Sequence, residues 1–116
     1  MTIDLSNKAA VVTGAASGIG YAISTALKAS GASVCMSDVQ PDALKESIAG
    51  LDVIDGRAIT CVADVSDSKQ VRKMGETAAR ELGTIDILIN CAGLQYVSSL
   101  EKFPLEHWDR LLNVML

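Results

Sequence analysis

The stretch that decides the fold is Thr13-Gly14-Ala15-Ala16-Ser17-Gly18-Ile19-Gly20. It follows the apolar run Ala9-Ala10-Val11-Val12 and opens an amphipathic run, which predicts a strand, a glycine-rich turn and a helix in that order. Backbone N–H groups point outward at such a helix start, and the helix dipole favours an anion there. Gly14 permits the tight turn, Gly18 permits close approach of a pyrophosphate, and Gly20 permits close packing of the helix on the strand. The alternative is an ordinary β–α turn that binds nothing.

The composition narrows the class of protein. The 116 residues are enough for one small domain, and a hydrophobic content of 49% is enough for a core. A net charge of −4 with scattered basic residues argues against a nucleic-acid partner. No apolar stretch approaches the roughly 18 residues of a membrane span, and the polar N-terminus is unlike a signal peptide. We therefore expect a cytoplasmic protein without a membrane partner.

Three cysteines, Cys35, Cys61 and Cys91, each lie at or near a predicted strand. Their odd number and their positions favour reduced, mostly structural thiols. No cysteine and histidine cluster has the spacing of metal ligands, so no metal site is predicted. The single histidine, His107, is interpreted as a helix-surface residue.

Apolar runs alternate with amphipathic runs along the whole chain. They predict strands at 8–12, 32–37, 57–63 and 85–89. The helices between and after them begin near Gly18, at Pro41, after the cap residue Asp67 (with Gln70 three residues later), and at Pro104. The predicted inward residues of the four helices are, in order, Ile19, Ala22, Ile23, Ala26 and Leu27; Ala43, Leu44, Ile48 and Leu51; Val71, Met74, Ala78 and Leu82; and Trp108, Leu111, Leu112 and Met115.

This alternation predicts an α/β fold of Rossmann type, a doubly wound parallel sheet with right-handed crossovers and the strand order 3-2-1-4. Ligands of such sheets bind at the carboxyl ends of the strands, where the order reverses. The rule places Gly14, Asp38, Asp64 and Asn90 on one rim. Four candidate residues at four strand ends indicate a ligand site more strongly than any one of them.

The acidic residues on this rim indicate which nucleotide the site would take. Asp38 follows Gly20 by 18 residues and can accept from both hydroxyls of an adenosine ribose. Asp38 would repel a 2′-phosphate, and no arginine or lysine is expected near Asp38 to bind one. The prediction is therefore NAD rather than NADP. Asp64-Val65 offers a carboxylate to the exocyclic amine of adenine and an apolar surface to its ring. The alternative for Asp38 is a solvated turn aspartate.

Thr-Gly-x-x-x-Gly-x-Gly at 13–20, Asp38, Asp64-Val65 and Asn90-Cys91-Ala92-Gly93 together resemble the short-chain dehydrogenase/reductase family over essentially the whole chain. Cys91 departs from the family's Asn-Asn-Ala-Gly. In the family this residue mostly contacts the cofactor ribose through its backbone, so the change is expected to be tolerated. The cofactor-binding residues that the resemblance implies are Gly14, Ser17, Gly18, Ile19, Gly20, Asp38, Asp64, Val65, Asn90, Cys91, Ala92 and Gly93.

A narrower resemblance covers residues 93–109, where Gly93-Leu94-Gln95-Tyr96-Val97, Leu100-Glu101, Phe103-Pro104 and Trp108-Asp109 are similar to bacterial D-3-hydroxybutyrate dehydrogenases. It implies that Gln95 helps to bind a substrate carboxylate, since a neutral amide can donate to an anion. The alternative is a generic polar loop residue. The substrate class that follows is a small hydroxy acid or alcohol, such as 3-hydroxybutyrate.

The family's acid–base motif, Tyr-x-x-x-Lys, does not occur in these 116 residues. Tyr21 is followed four residues later by Thr25, and Tyr96 by Leu100. In the family this tyrosine exchanges a proton with the carbinol oxygen and the lysine lowers its pKa. No catalytic residue is therefore predicted within the chain, which we expect to be the N-terminal half of an NAD-binding Rossmann domain, ending inside the fourth helix.

The family also places a catalytic asparagine in the fourth helix, seven residues after the tryptophan. That position is Met115 here, and Asn113 lies two residues short of it on another side of the helix. Asn113 is therefore not assigned a catalytic role.

Two functions remain open. The first is an NAD-dependent oxidoreductase of which this chain is one half, forming a homo-oligomer because the family's fourth helix commonly helps to build a subunit interface. The second is a catalytically silent, truncated fragment that binds a nucleotide or an oligomer partner. A free four-stranded sheet would leave strand one or four as an open edge, and this favours the first function over the second. A third reading is an α/β domain that binds no nucleotide.

Overall fold

The computed structural model describes residues 3–51, 57–93, 102 and 104–115. Four strands and four helices alternate in the predicted order, and each strand bound lies within two residues of its predicted place. The elements are β1 (Ala9–Thr13), α1 (Gly18–Ala29), β2 (Ser33–Asp38), α2 (Pro41–Ala49), β3 (Ala58–Val62), α3 (Ser68–Leu82), β4 (Ile87–Asn90) and α4 (Leu105–Met115).

The strands form one parallel sheet in the order β3-β2-β1-β4, which confirms the predicted Rossmann-type α/β fold. In the register, Thr13 lies beside Ser37 on one side and beside Asn90 on the other, while Asp38 pairs with Val62. The carboxyl ends of the strands therefore lie along one edge of the sheet, as predicted. Strand β1 is central, so of the two strands expected at an open edge it is β4 that lies there.

The core lies on both faces of β1 and β2, which explains why consecutive residues of these strands are buried, rather than alternate ones. One buried cluster includes Val12, Met36 and Leu44 from β1, β2 and α2. The other joins Cys35 to Met74 and to further residues of β1 and α3. Neighbouring residues of each strand thus point to opposite layers of helices.

The predicted inward stripe of α1 is wrong in part. Its buried residues are Gly20, Ser24 and Lys28, whereas Ile19 is 75% exposed. Ala22 and Ala26 are exposed as well, and only Ile23 and Leu27 of the predicted set are half-buried. The physical reason is the close approach of α1 to the β1 turn at Gly20, where a Cβ would overlap the carbonyl of Gly14. The buried side of the helix therefore runs through Gly20, Ser24 and Lys28, at intervals of four residues.

The faces of α2 and α3 agree better with the periodicity. In α2, Leu44 is buried and Ala43 and Ile48 are half-buried, while the predicted Leu51 is buried two residues beyond the end of the helix. In α3, Met74 and Ala78 are buried and Leu82 is half-buried. The exception is Val71, which is 36% exposed at the start of α3.

The predicted inward face of α4 is wrong for Trp108 and Leu112, which are 44% and 42% exposed. The half-buried residues are His107, Leu111 and Val114, at intervals of four and three residues, so the helix is rotated towards Val114. The side chain of Met115 lies outside the described residues. Within the described ranges, no helix is both long and apolar enough to cross a membrane.

Candidate functional site

A cleft of about 380 Å³ opens at the carboxyl ends of the strands, where β1 separates the crossovers to either side. It is lined by Thr13, Gly14, Ala16, Ser17, Ile19, Gly20, Ser37, Asp38, Val39, Gln40, Ala63, Asp64, Val65, Cys91, Ala92, Gly93, Arg110 and Val114. The lining thus comes from all four strand ends and from α4, and its position is the one at which open α/β sheets bind ligands.

At two positions of the glycine-rich stretch, Gly14 and Gly20, neighbouring backbone atoms leave no space for a side chain. Gly14 has φ +63°, and a Cβ there would lie 2.8 Å from the backbone carbonyl carbon and oxygen of Cys91. A Cβ on Gly20 would overlap the carbonyl oxygen of Gly14. The β1 turn, the start of α1 and the turn after β4 are therefore packed backbone against backbone, as the sequence predicts for Gly14 and Gly20.

Gly18 differs from these two because, apart from its chain neighbours and the backbone of its own helix, no atom lies within 4 Å of the place where its Cβ would stand, although its φ is +59°. The N-cap residue Ser17 makes no side-chain bond to the first turn of α1, and that turn carries no acidic side chain. The first N–H groups of a helix have no acceptor within the helix. An open backbone, uncapped amides and a positive dipole end fit the binding of a phosphate group.

The carboxylate of Asp38 is held at the rim by two backbone amides. The N–H of Ala16 donates to Oδ2 at 3.1 Å, and the N–H of Gln40 donates to Oδ1 at 3.1 Å. These bonds tie the end of β2 to the glycine-rich turn. A half-buried negative charge consequently has a defined position in the cleft.

Asp64 is oriented by its own turn. The N–H and the hydroxyl of Ser66 both donate to Oδ1, at 2.9 and 2.6 Å, and the backbone N–H of Asp64 donates to Oε1 of Gln70 at 2.9 Å. The Ser66 hydroxyl, then the Ser66 amide, and to a smaller extent the charge of Arg110 lower the pKa of Asp64 below its ordinary value. The carboxylate is therefore ionised and directed by bonds that do not involve α4.

Asp67 caps α3 as predicted, since its Oδ1 accepts from the N–H of Lys69 at 3.0 Å. The Gln70 side chain donates to Oδ2 of Asp67 at 3.0 Å, while its Oε1 bonds to Asp64. The capping pair predicted from the sequence thus also supports the rim of the cleft.

The hydroxyl of Thr13 joins the two turns at the centre of the cleft. It donates to the carbonyl of Ile89 at 3.4 Å and accepts from the N–H groups of Cys91 and Ala92 at 3.1 and 3.2 Å. Cys91 is therefore held through its backbone N–H, a contact that does not depend on its side chain.

The structure brings together in this cleft all the cofactor residues expected from the sequence except Gly18 and Asn90. Gly18 lies on the turn itself, and Asn90 lines a neighbouring cavity of about 560 Å³ between α3, α4 and the sheet. The predicted substrate residue Gln95 lies outside the described residues.

Several residues of the cleft were not foreseen. Ser37 is 1% exposed, and its hydroxyl has no hydrogen-bond partner among the described residues. Arg110 and Val114 also line the cleft, and both belong to α4. The electrostatic effect of Arg110 is felt by Asp64. No sequence signal near Asp64 indicates Arg110, because 46 residues separate the two in the chain.

Relatives of known sequence and structure were found over nearly the whole chain. It is 42% identical over 110 residues to "Glycine betaine reductase ATRR" of Emericella nidulans, covering 95% of this chain and 9% of that protein. It is 37% identical over 113 residues to "D-beta-hydroxybutyrate dehydrogenase" of Rhizobium meliloti, covering 94% and 43%.

Among solved structures, a short-chain dehydrogenase/reductase described as a glucose/ribitol dehydrogenase from Brucella melitensis matches with a TM-score of 0.94 and 30% identity. The match covers all of this chain and 48% of that one. The chain thus spans less than half the length of each of these three proteins. The model of the family described as "short chain dehydrogenase" matches residues 8–116. The chain belongs to the short chain dehydrogenase family.

Proposed function

We propose that this chain is the NAD-binding half of an oxidoreductase that interconverts a small hydroxy acid or alcohol and the corresponding carbonyl compound. The family to which it belongs uses NAD or NADP. The observation that carries the choice of NAD is the carboxylate of Asp38, which the amides of Ala16 and Gln40 hold at the rim of the cleft.

The charge of Asp38 is the basis for discrimination between the two cofactors. A carboxylate accepts hydrogen bonds from the 2′- and 3′-hydroxyls of a ribose, whereas a 2′-phosphate at the same place meets a like charge. Arg110 lies in the same cleft, but its charge acts on Asp64 at the end of β3. We therefore assign the selective role to Asp38.

The other lining residues divide the cleft into three parts. The amides at the start of α1, from Ser17 to Gly20, would hold the pyrophosphate. Asp64 and Val65 would contact the adenine, and the segment 91–93 would face the nicotinamide end. When bound, the nicotinamide group supplies hydride transfer. The chain's own residues bind and orient the cofactor.

The substrate, the assembly and the compartment are also part of the proposal. One of the relatives bears the name D-beta-hydroxybutyrate dehydrogenase, and the sequence around Gln95 resembles such enzymes, so a 3-hydroxy acid is the proposed substrate class. A homo-oligomer in the cytoplasm is the proposed setting.

The proposal separates cofactor binding from turnover. None of the 116 residues forms a Tyr-x-x-x-Lys, which in the family exchanges the proton of the carbinol. We therefore expect the chain as printed to bind NAD without oxidising 3-hydroxybutyrate. Turnover by this chain alone would show that another residue performs the proton transfer.

Calorimetric titration of the 116-residue chain with NAD and with NADP tests the proposal. We expect NAD to bind about tenfold more tightly or better, a difference of about 1.4 kcal/mol. Asp38→Asn, which keeps an oxygen acceptor and removes the charge, should abolish most of this preference. Asp42→Ala removes the same charge from an exposed position outside the cleft and should leave it unchanged. Equal or tighter binding of NADP by the unaltered chain would refute the choice of NAD.

A further inference from the structure

Arg110 lies one helical turn before Val114 on α4, and both residues line the cleft beside Asp64 and Val65. A spacing of four residues places Arg110 and Val114 on one side of the helix. The Arg110 side chain is exposed, while Val114 and Val65 are half-buried. One end of the cleft therefore has apolar side chains, a carboxylate and a planar cation around the same space.

Within the described residues, the Asp64 carboxylate and the Arg110 guanidinium form no direct ion pair with each other. Oδ1 of Asp64 already accepts both donors of Ser66, and no hydrogen bond from a described residue reaches Oδ2. Arg110 forms no direct ion pair within the described ranges, although its charge is close enough to lower the pKa of Asp64. An acceptor oxygen and a flat cationic surface are thus both available to a ligand.

We propose that Arg110 is a further binding residue for the adenine ring, covering one face of the ring with its guanidinium group. This inference rests on the proposed function, because it needs the adenosine end of the cofactor to lie at the β3 end of the cleft. A guanidinium group stacks on aromatic faces, and an aliphatic residue such as Val65 can pack against the opposite face. Oδ2 of Asp64 would accept from the exocyclic amine. Helix α4 thereby becomes part of the cofactor site.

The test uses ADP-ribose, which contains the adenosine and pyrophosphate without the nicotinamide. Its dissociation constant is measured by calorimetry, at low and high salt, for the 116-residue chain and for Arg110→Ala, Arg110→Lys and Arg72→Ala. Arg72 is an exposed arginine of α3 that lines neither the cleft nor the neighbouring cavity, so it controls for the change in net charge. Thermal unfolding of each variant checks that the fold is unchanged.

We expect Arg110→Ala to weaken ADP-ribose binding by about three- to tenfold at both salt concentrations. Arg110→Lys should recover little of the loss, because an ammonium group keeps the charge without the flat surface. Arg72→Ala should bind as the unaltered chain does. A loss that lysine restores and salt abolishes would overturn the inference in favour of attraction to the pyrophosphate.

Different results would refute the role of Arg110 and the proposed function on which it rests. If Arg110→Ala binds as tightly as Arg72→Ala while the unaltered chain binds ADP-ribose, only the role of Arg110 is refuted. If the unaltered chain binds no ADP-ribose, the proposed cofactor site is refuted and the role of Arg110 with it.

Discussion

The hydroxyl of Thr13 accepts a hydrogen bond from the backbone N–H of Cys91 at 3.1 Å, across 78 residues of sequence. The same oxygen accepts from the N–H of Ala92, and the Thr13 residue is 4% exposed. This contact fixes the turn after β4 against the turn after β1, where Gly14 leaves no room for a side chain. The spacing between the glycine-rich turn and the turn after β4 depends on it.

Replacing Thr13 by valine should therefore destabilise the chain by about 2–3 kcal/mol, because two half-buried N–H groups lose their acceptor, each at the lower end of the roughly 1–3 kcal/mol that a fully buried group costs. Urea unfolding measures the change. Thr13→Ser keeps the hydroxyl and loses one methyl group, which costs about 1 kcal/mol. A valine variant as stable as the serine variant would show that the hydroxyl does not hold the two turns together.

Alanine substitutions at Gly20 and Gly18 should have different effects, the first mainly on the stability of the fold and the second mainly on the affinity for NAD. In Gly20→Ala the new methyl group meets the carbonyl of Gly14, so we expect a loss of stability of about 3 kcal/mol. In Gly18→Ala the methyl group enters open space, and the positive φ costs only about 1 kcal/mol. The Gly18 variant should nevertheless lose most of its affinity for NAD, because the methyl group occupies the space proposed for the pyrophosphate.

Urea unfolding and calorimetric titration of the two glycine variants together check this separation. Full NAD affinity in a folded Gly18→Ala chain would show that the phosphate lies elsewhere.

Gly75 offers a stabilising change on α3. It lies within the helix with φ outside the left-handed region, and no atom from outside the nearby helix backbone lies within 4 Å of the place of its Cβ. Alanine lowers the conformational entropy of the unfolded chain at such a position, so Gly75→Ala should raise the free energy of unfolding by about 0.5–1 kcal/mol. A decrease in the urea midpoint would mean that the cavity beside α3 does not tolerate the methyl group.

The buried thiol of Cys35 should make the stability of the chain sensitive to alkaline pH. Burial, with a smaller effect of Cys61, raises the pKa of Cys35 from 9.0 to about 12. The folded chain then holds the thiol proton more tightly than the unfolded chain, so this contribution is fully present below pH ~9 and is lost as the pH rises towards ~12. The expected loss is about 2 kcal/mol near pH ~10.5.

Urea unfolding of the unaltered chain and of Cys35→Ala over a series of alkaline pH values isolates this effect. All other titratable groups are present in both chains, so the difference between the two curves reports Cys35 together with its electrostatic coupling to Cys61. Parallel curves would show that the thiol does not contribute.

The sequence alone determined the number, kind and order of the elements, because apolar period and turn residues are local properties. It also placed Gly14, Asp38 and Asp64 on one rim, since the carboxyl ends of parallel strands meet at one edge of a sheet. The glycine-rich turn is also readable from the sequence, because glycine tolerates the positive φ and the close backbone contacts of this turn and few other residues do.

Only the tertiary structure decided which helix faces are covered and which distant residues meet in the cleft. The periodicity predicted that Ile19 is buried, but the close approach of α1 to the β1 turn buries Gly20 and Ser24 instead. The rotation of α4 brought Arg110 to Asp64, and the sheet brought Thr13 to Cys91. These contacts join segments far apart in the chain, and their geometry depends on packing that no local pattern of residues contains.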